Sequence, residues 1–79
     1  MGRTQEALAD WNEAIRLKPD YFAAHAQRAL IYLKLNELEK ALPDLDAAVR
    51  LNPHPEDTYL QIQKQAVEET LKSRAARQR

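Results

Sequence analysis

The sequence predicts an all-α fold, an antiparallel helix–turn–helix solenoid fragment of about four helices. A 34-residue period relates residues 3–19 to residues 37–53, and seven of these 17 aligned pairs are identical. The 79 residues include a single glycine and many residues that favour helix. Apolar residues recur at the three- and four-residue spacing of one helix face. A period of this length indicates one helical unit used again, each copy burying its apolar face on its neighbour.

The first two helices follow from their end signals. The first is predicted over residues 4–17, with Thr4 as its N-cap. Pro19 ends it, because proline pushes the preceding residue out of the α region. The second is predicted over residues 21–35, with Asp20 as its N-cap.

The third and fourth helices follow in the second copy of the period. The third is predicted over residues 37–51, and we expect Pro43 within it to face solvent, with a local irregularity before it. The fourth is predicted to begin at Pro55 and to reach the mid-70s, with Glu56 and Asp57 in its first turn. Its apolar stripe is expected at Tyr59, Ile62, Ala66, Val67 and Leu71. The predicted core of the whole chain comprises Leu8, Trp11, Ile15, Ala29, Tyr32, Leu45, Val49 and Ile62.

Composition and residue types argue against catalysis. Cysteine is absent, and His25 and His54 lack the spacing of metal ligands. The one serine, Ser73, lies in a charged tail, and a single glycine cannot form a phosphate-binding loop. Asp44 and Asp46 are expected to be solvated positions on different helix faces. We therefore expect no enzyme activity, no catalytic residues, no metal, no cofactor and no small-molecule substrate.

Charge and hydropathy limit the classes of partner that we expect for this chain. No apolar run approaches the roughly 20 residues that span a bilayer, so we expect a soluble, cytoplasmic chain without a membrane partner. The formal net charge is zero, but residues 72–79 carry four basic and no acidic side chains: Lys72, Arg74, Arg77 and Arg79. Cations at the end of a helix offset its dipole. Nucleic-acid contact through this tail is the less favoured interpretation, because no aromatic residue is interleaved for stacking.

A known family matches the spacing of the second unit. In that unit, residues at the pattern positions are His25, Arg28, Ala29 and Tyr32, followed by Ala41, Leu45, Ala48 and Pro53. With these residues the segment 22–53 resembles a tetratricopeptide repeat. Residues 3–19 match its second half, and residues 54–79 keep the period weakly, as a capping helix with a basic tail would. We therefore divide a single domain into a half repeat (3–19), a full repeat (20–53) and a capping helix (54–79), and expect it to come from the end of a longer array.

The resemblance implies a scaffold that binds proteins. In this family the first helix of each repeat lines a concave groove that holds a peptide. Carried over by position, the partner-binding residues of that face are Ala23, Gln27, Leu30, Lys34, Gln61 and Lys64.

A self-associating structural fragment is the alternative. The first helix corresponds to the second helix of a repeat, so Ala7 and Trp11 are expected to lack part of their cover. A second copy could supply the missing surface through a two-fold pairing, which would make a homodimer. The mass of the protein in solution discriminates between these two functions.

Overall fold

The computed structural model describes residues 2–77 and contains four helices, each packed on the next along the chain. The helices are α1 (Gly2–Leu17), α2 (Phe22–Lys34), α3 (Leu38–Leu51) and α4 (Tyr59–Arg77). No strand is assigned in this part of the chain, and the all-α solenoid prediction is confirmed. None of these helices combines the length and the apolar character that crossing a membrane requires.

Both predicted N-caps are wrong. The first helix begins at Gly2, so Thr4 lies inside it. The N-cap of α2 is Tyr21, whose side chain makes no capping hydrogen bond. The carboxylate of Asp20 instead accepts a hydrogen bond from the ammonium of Lys18 at 3.3 Å.

A tight turn returns the chain from α2 to α3. Asn36 has a positive φ of 60°, a left-handed conformation that asparagine tolerates better than most residues. Its N–H donates to the carbonyl of Leu33 at 3.0 Å, and the N–H of Glu37 donates to the carbonyl of Tyr32 at 2.9 Å. This pair of bonds is the Schellman motif, which satisfies the last carbonyls of a helix. The turn therefore brings α3 back along α2.

Small residues allow a close contact between α2 and α3. Ala29 on α2 and both Ala41 and Ala48 on α3 are fully buried, as is Leu45. Without bulky side chains at the contact, two helix backbones approach closely and large neighbours fill the space beside them. The buried cluster comprises Ala26, Ala29, Leu38, Ala41, Leu45, Ala48, Leu60 and Val67, which joins α2, α3 and α4. Of the predicted core, Leu8, Ala29 and Leu45 are buried, and Trp11, Ile15, Tyr32 and Val49 are half-buried.

Pro43 is exposed, as expected for a proline within a helix. The helix α3 runs without interruption through it. Because proline has no N–H, the helical bond from position 43 to the carbonyl of Glu39 is missing. The cost falls on the solvent side of α3, away from the buried alanines.

The fourth helix begins later than the prolines indicated. Pro55, Glu56 and Asp57 belong to the connection before Tyr59, so their predicted place in the first turn of α4 is wrong. The side chain of Asn52 donates to the carbonyl of Asp57 at 3.3 Å and helps to hold this connection in a turn. A carboxylate oxygen of Asp57 then accepts the N–H of Tyr59 at 3.1 Å, at the start of α4.

The buried face of α4 also differs from the predicted one. Leu60 and Val67 are buried, with 8% and 4% of their surface exposed. Tyr59 and Ile62 are 53% and 57% exposed, and Ala66 is exposed as well. The prediction that these three residues face the core is wrong. The reason is that α4 packs on the buried cluster through Leu60 and Val67 and not through these three residues.

Candidate functional site

The predicted groove residues of α2 lie along one stripe of that helix. Ala23, Gln27, Leu30 and Lys34 follow each other at four, three and four residues, the spacing of a single helix face. Gln27 and Lys34 are exposed, whereas Ala23 and Leu30 are half-buried. The stripe therefore presents an amide, an ammonium and two apolar side chains toward solvent.

Two equivalent hydrogen bonds show how α4 is placed. Between α1 and α2, a guanidinium nitrogen of Arg28 donates to the side-chain oxygen of Asn12 at 2.9 Å. Between α3 and α4, the ammonium of Lys64 donates to Asp46 at 2.9 Å. The two acceptors, Asn12 and Asp46, are 34 residues apart, as the period requires. The two donors, Arg28 and Lys64, are 36 residues apart, so α4 lies on α3 with a shift of two residues.

Burial follows the same shift. Ala24 on α2 is fully buried, and its equivalent at 36 residues, Leu60, is also buried. Val67 stands 36 residues after Ile31, which is half-buried on α2. The connection between α3 and α4 spans residues 52–58, against residues 18–21 between α1 and α2. The second connection is three residues longer than the first, which accommodates the two-residue shift without loss of the helix contact.

This shift separates Lys64 and Gln61 from the stripe on α2. Lys64 lines a cleft with residues of α3 and is held there by Asp46. Gln61 precedes Lys64 by three residues and therefore shares its side of the helix. The family resemblance, carried over by position, implies that both lie on the same concave face as the stripe of α2. The structure places them on the opposite side of α4.

Other residues of α4 lie on the α2 side. A hollow of about 280 Å³ separates the end of α2 from α4. Its lining includes Leu33 and Asn36 from α2 and the following turn, and Gln63, Ala66, Thr70 and Arg74 from α4. Gln63, Ala66 and Thr70 stand 36 residues after Gln27, Leu30 and Lys34. The α2 stripe therefore has a counterpart on α4, two residues beyond the position that the period indicated.

The sequence analysis did not predict the buried ionic cluster around Asp44. Asp44 is 2% exposed, so its expected place in solvent is wrong. Two guanidinium nitrogens of Arg28 donate to its carboxylate at 2.6 and 2.7 Å. This paired hydrogen bond raises the pKa of Arg28 above its ordinary value. Two charged residues on facing helices of the full repeat were the signal that could have revealed the pair.

His25 extends this cluster to the turn before α2. Its Nδ1 lies 3.1 Å from the carboxylate of Asp44, and its Nε2 lies 2.7 Å from the carbonyl of Pro19. Both partners offer oxygen acceptors, one on each side of the imidazole ring. His25 therefore ties the α1–α2 turn to α3 and has a structural part in the fold.

One side of α1 is less covered than the same side of α3. Ala7 and Trp11 are half-buried, whereas their equivalents Ala41 and Leu45 are fully buried. Trp11 is the only tryptophan in the sequence. The predicted partial exposure of this pair is present in the structure, but its use as a self-association surface stays a prediction.

The basic end of α4 makes few contacts with the body of the protein. Lys72 and Arg77 are exposed, and Arg74 reaches the side chain of Asn36 at 3.4 Å. Arg79, the last residue of the predicted basic tail, lies outside the described residues. Between residues 2 and 77, no three potential ligand side chains are grouped so as to hold a metal ion.

Two family models match the chain. One, described as TPR repeat, covers residues 1–36, and the other, described as tetratricopeptide repeat, covers residues 22–55. They overlap on α2 and leave α4 unmatched. The matched part therefore contains the periodic residues, and the unmatched part is the helix that departs from the period.

Curated relatives match between 50 and 57 residues of this chain. Tetratricopeptide repeat protein 33 of Xenopus laevis is 38% identical over 53 residues, which are 67% of this chain and 20% of that protein. Protein FlbA of Caulobacter vibrioides is 39% identical over 57 residues, 72% of this chain and 10% of that protein. A tetratricopeptide repeat and J domain-containing co-chaperone of Cryptococcus neoformans is 42% identical over 50 residues, 63% of this chain and 10% of that protein. The chain thus spans a fifth or less of each of these relatives, and no solved structure matches it.

Proposed function

The chain belongs to the tetratricopeptide repeat family, and we propose that it acts as a non-catalytic scaffold module that binds a protein partner. Repeats of this family generally mediate interactions between proteins. The observation that carries the proposal is the hollow between the end of α2 and α4, where Leu33 of α2 and Gln63 and Thr70 of α4 are among the lining residues. We propose that the α2 stripe of Gln27, Leu30 and Lys34 and this hollow together form the binding surface.

The chemistry of this surface suits an extended peptide. The amides of Gln27 and Gln63 each offer both donors and an acceptor to a peptide backbone. Leu30 and Ala66 supply apolar contact between them. Specific interfaces usually bury about 800 Å² per partner, so we expect a weak contact unless further repeats extend the surface.

A peptide selection followed by mapping tests this function. Peptides selected against the protein should shift the backbone amide resonances of Gln27, Leu30 and Lys34 in nuclear magnetic resonance spectra. The variant Leu30→Glu should weaken binding by about tenfold or more, as for a central contact. Gln5→Glu on the exposed side of α1 is the matched control. Peptides that map to another surface, or that bind both variants equally, would refute the proposed groove.

We also retain the proposed division into a half repeat (3–19), a full repeat (20–53) and a capping helix (54–79). The support comes from the side of α4 that corresponds, at 36 residues, to the α3-facing side of α2. There the buried His25 and Ala29 are replaced by the exposed Gln61 and Gln65. A polar outer face is typical of a capping helix in repeat proteins. A cytoplasmic location stays a prediction.

Self-association through α1 is a second candidate function, favoured by the half-exposed Trp11. Covering Ala7 and Trp11 with a second copy would remove apolar surface from water, at about 25 cal/mol per Å². One tryptophan does not offset the cost of association, at least about 4 kcal/mol, so any dimer should be weak.

Sedimentation over a wide concentration range tests this second function. Ala7→Glu should shift the protein toward monomer, whereas Ala9→Glu, on an exposed side of the same helix, should leave the equilibrium unchanged. Burial of Trp11 should also move its fluorescence to shorter wavelength as the concentration rises. A strict monomer at several hundred micromolar would exclude the homodimer.

A further inference from the structure

A cleft opens between α3 and α4 on the side away from the α2 stripe. It has a volume of about 470 Å³, within the range of pockets that hold a ligand group. Its lining consists of Glu39, Leu42, Pro43 and Asp46 from α3, with Lys64 and Glu68 from α4. The four residues of α3 have the spacing of one helix face, so they form a continuous wall.

The middle of this wall is apolar and one backbone acceptor beside it is free of its helical bond. Leu42 is half-buried and Pro43 is exposed, so both offer hydrocarbon surface to the cleft. Pro43 has no N–H for the carbonyl of Glu39, one turn earlier. The cleft thus presents a hydrocarbon platform beside its charged residues.

The charges of the cleft leave an excess of carboxylate. Three carboxylates line it against one cation, Lys64, whose ammonium bonds Asp46 at 2.9 Å. That bond raises the pKa of Lys64, and the charge of Glu68 raises it further. Among the ion pairs formed by residues 2–77, none involves Glu39 or Glu68. The cleft is therefore complementary to a further cation.

We propose that this cleft binds an arginine side chain presented by a partner protein. A planar guanidinium has five donors in a fixed fork, which suits the carboxylates of Glu39 and Glu68 on opposite walls. The methylene stem of arginine would lie along Leu42 and Pro43 while its head reaches Glu39 and Glu68. A lysine ammonium is more strongly hydrated and cannot make paired hydrogen bonds, so it fits this cleft less well.

This site lies apart from the surface assigned to the partner in the proposed function. None of the α2 stripe residues lines the cleft. A partner segment could therefore be held on the α2 side and a second segment on the α3 side. Loss of one interaction by mutation should leave the other intact, so the two proposals succeed or fail separately.

Fluorescence anisotropy with three matched peptides tests the proposal. The first peptide is short, uncharged at other positions and carries one arginine between alanines. The second has lysine and the third has citrulline, which keeps the shape of arginine without its charge. The arginine peptide should bind saturably, the lysine peptide more weakly, and the citrulline peptide without measurable affinity.

Adjacent glutamates on α4 provide matched variants. Glu68→Gln should weaken binding of the arginine peptide by about fivefold, the size expected for one partly exposed ion pair. Glu69→Gln removes the same charge one residue away, outside the cleft, and should change affinity by less than about twofold. Glu39→Gln should match Glu68→Gln. Circular dichroism melting checks that each variant remains folded.

A gain of affinity gives the sharpest outcome. Lys64→Met removes the internal cation and frees Asp46, so it should tighten arginine binding. Equal losses in Glu68→Gln and Glu69→Gln, equal binding of lysine and arginine peptides, or weaker binding by Lys64→Met would each overturn the proposal. So would association of the protein with itself that Glu68→Gln abolishes, since a second copy's basic helix end would then be the occupant.

Discussion

The junction between α1 and α2 and the junction between α3 and α4 are each bridged by one hydrogen bond from a basic side chain of the later helix to a side-chain oxygen of the earlier helix. Arg28 bonds Asn12 in the first, and Lys64 bonds Asp46 in the second, at the same distance. They differ on the far side of the later helix. The far side of α2 packs against α3 through a buried ionic cluster, whereas the corresponding side of α4 carries exposed glutamines. The comparison shows that a helix contact can be kept while the sequence register shifts, because the connection absorbs the difference.

The same comparison separates two aspartates on α3. Asp44 is buried and bonds Arg28 on α2, whereas Asp46 is exposed and bonds Lys64 on α4. The two side chains are two residues apart and chemically identical. Only their surroundings differ, with 3% of the Asp44 side chain exposed against 64% for Asp46.

The largest expected effect is the loss of Asp44. Asp44→Ala should lower the free energy of unfolding by roughly 2–4 kcal/mol, because it leaves Arg28 without its buried partner. Arg28 can still reach some water, since 22% of its side chain is exposed, which keeps the loss below that of a fully enclosed charge. Urea denaturation followed by circular dichroism measures it. Asp46→Ala is the matched control and should cost clearly less; equal losses would contradict the distinction between the two junctions.

A second prediction tests the register of α4. Leu60→Ala should cost about 2–3 kcal/mol of unfolding free energy, because it removes buried hydrocarbon from the contact with α3. Ile62→Ala, two residues later and 57% exposed, should change it by less than about 0.5 kcal/mol. A larger loss of stability in Ile62→Ala than in Leu60→Ala would instead support the register in which the 34-residue period continues through α4. Thermal melts of both variants decide between the two.

The smallest effect concerns the pH dependence of the second junction. The hydrogen bond from Lys64 holds the pKa of Asp46 below its ordinary value. The pair therefore contributes its full stability above the ordinary pKa of the carboxyl, and loses it as the pH falls through the lowered pKa. The thermal midpoint of the protein should exceed that of Asp46→Asn at neutral pH, and the two should converge in acid. A constant difference down to low pH would show that the charge of Asp46 is not what matters.

The periodic part of the molecule was predictable from the sequence. The alanines of α3 and their equivalents on α1 share a 34-residue spacing, and this spacing, with the alanines and prolines, predicted the all-α repeat and its family. The contact of Ala29 with the buried face of α3 follows from residue size, since small residues mark close approach of helices. The stripe on α2 came from the resemblance to the family, carried over by position, and its role in binding stays a prediction.

The predictions for the start and the buried face of α4 were wrong because two local sequence signals competed there. Pro55 with Glu56 and Asp57 resembled a helix start, but the side chain of Asn52 bonds the carbonyl of Asp57 and helps to hold the segment as a turn. Tyr59 and Ile62 had the spacing of an apolar stripe, yet Leu60 and Val67 provide another at nearly the same spacing. Sequence spacing alone cannot choose between two such stripes, because both fit the helical repeat.

The sequence by itself determined the helices, the repeat and the close-packed pair α2 and α3, because these depend on residue size and on spacing within one unit. The tertiary structure decided the register of α4 and the partners of Asp44. Both depend on groups that lie far apart along the chain. A charge becomes buried only when a facing helix brings its partner, as α2 brings Arg28 to Asp44. The register of α4 depends on how the connection folds, so the residues of α4 that line the hollow beside the end of α2 follow only from the packing of α4 on α3.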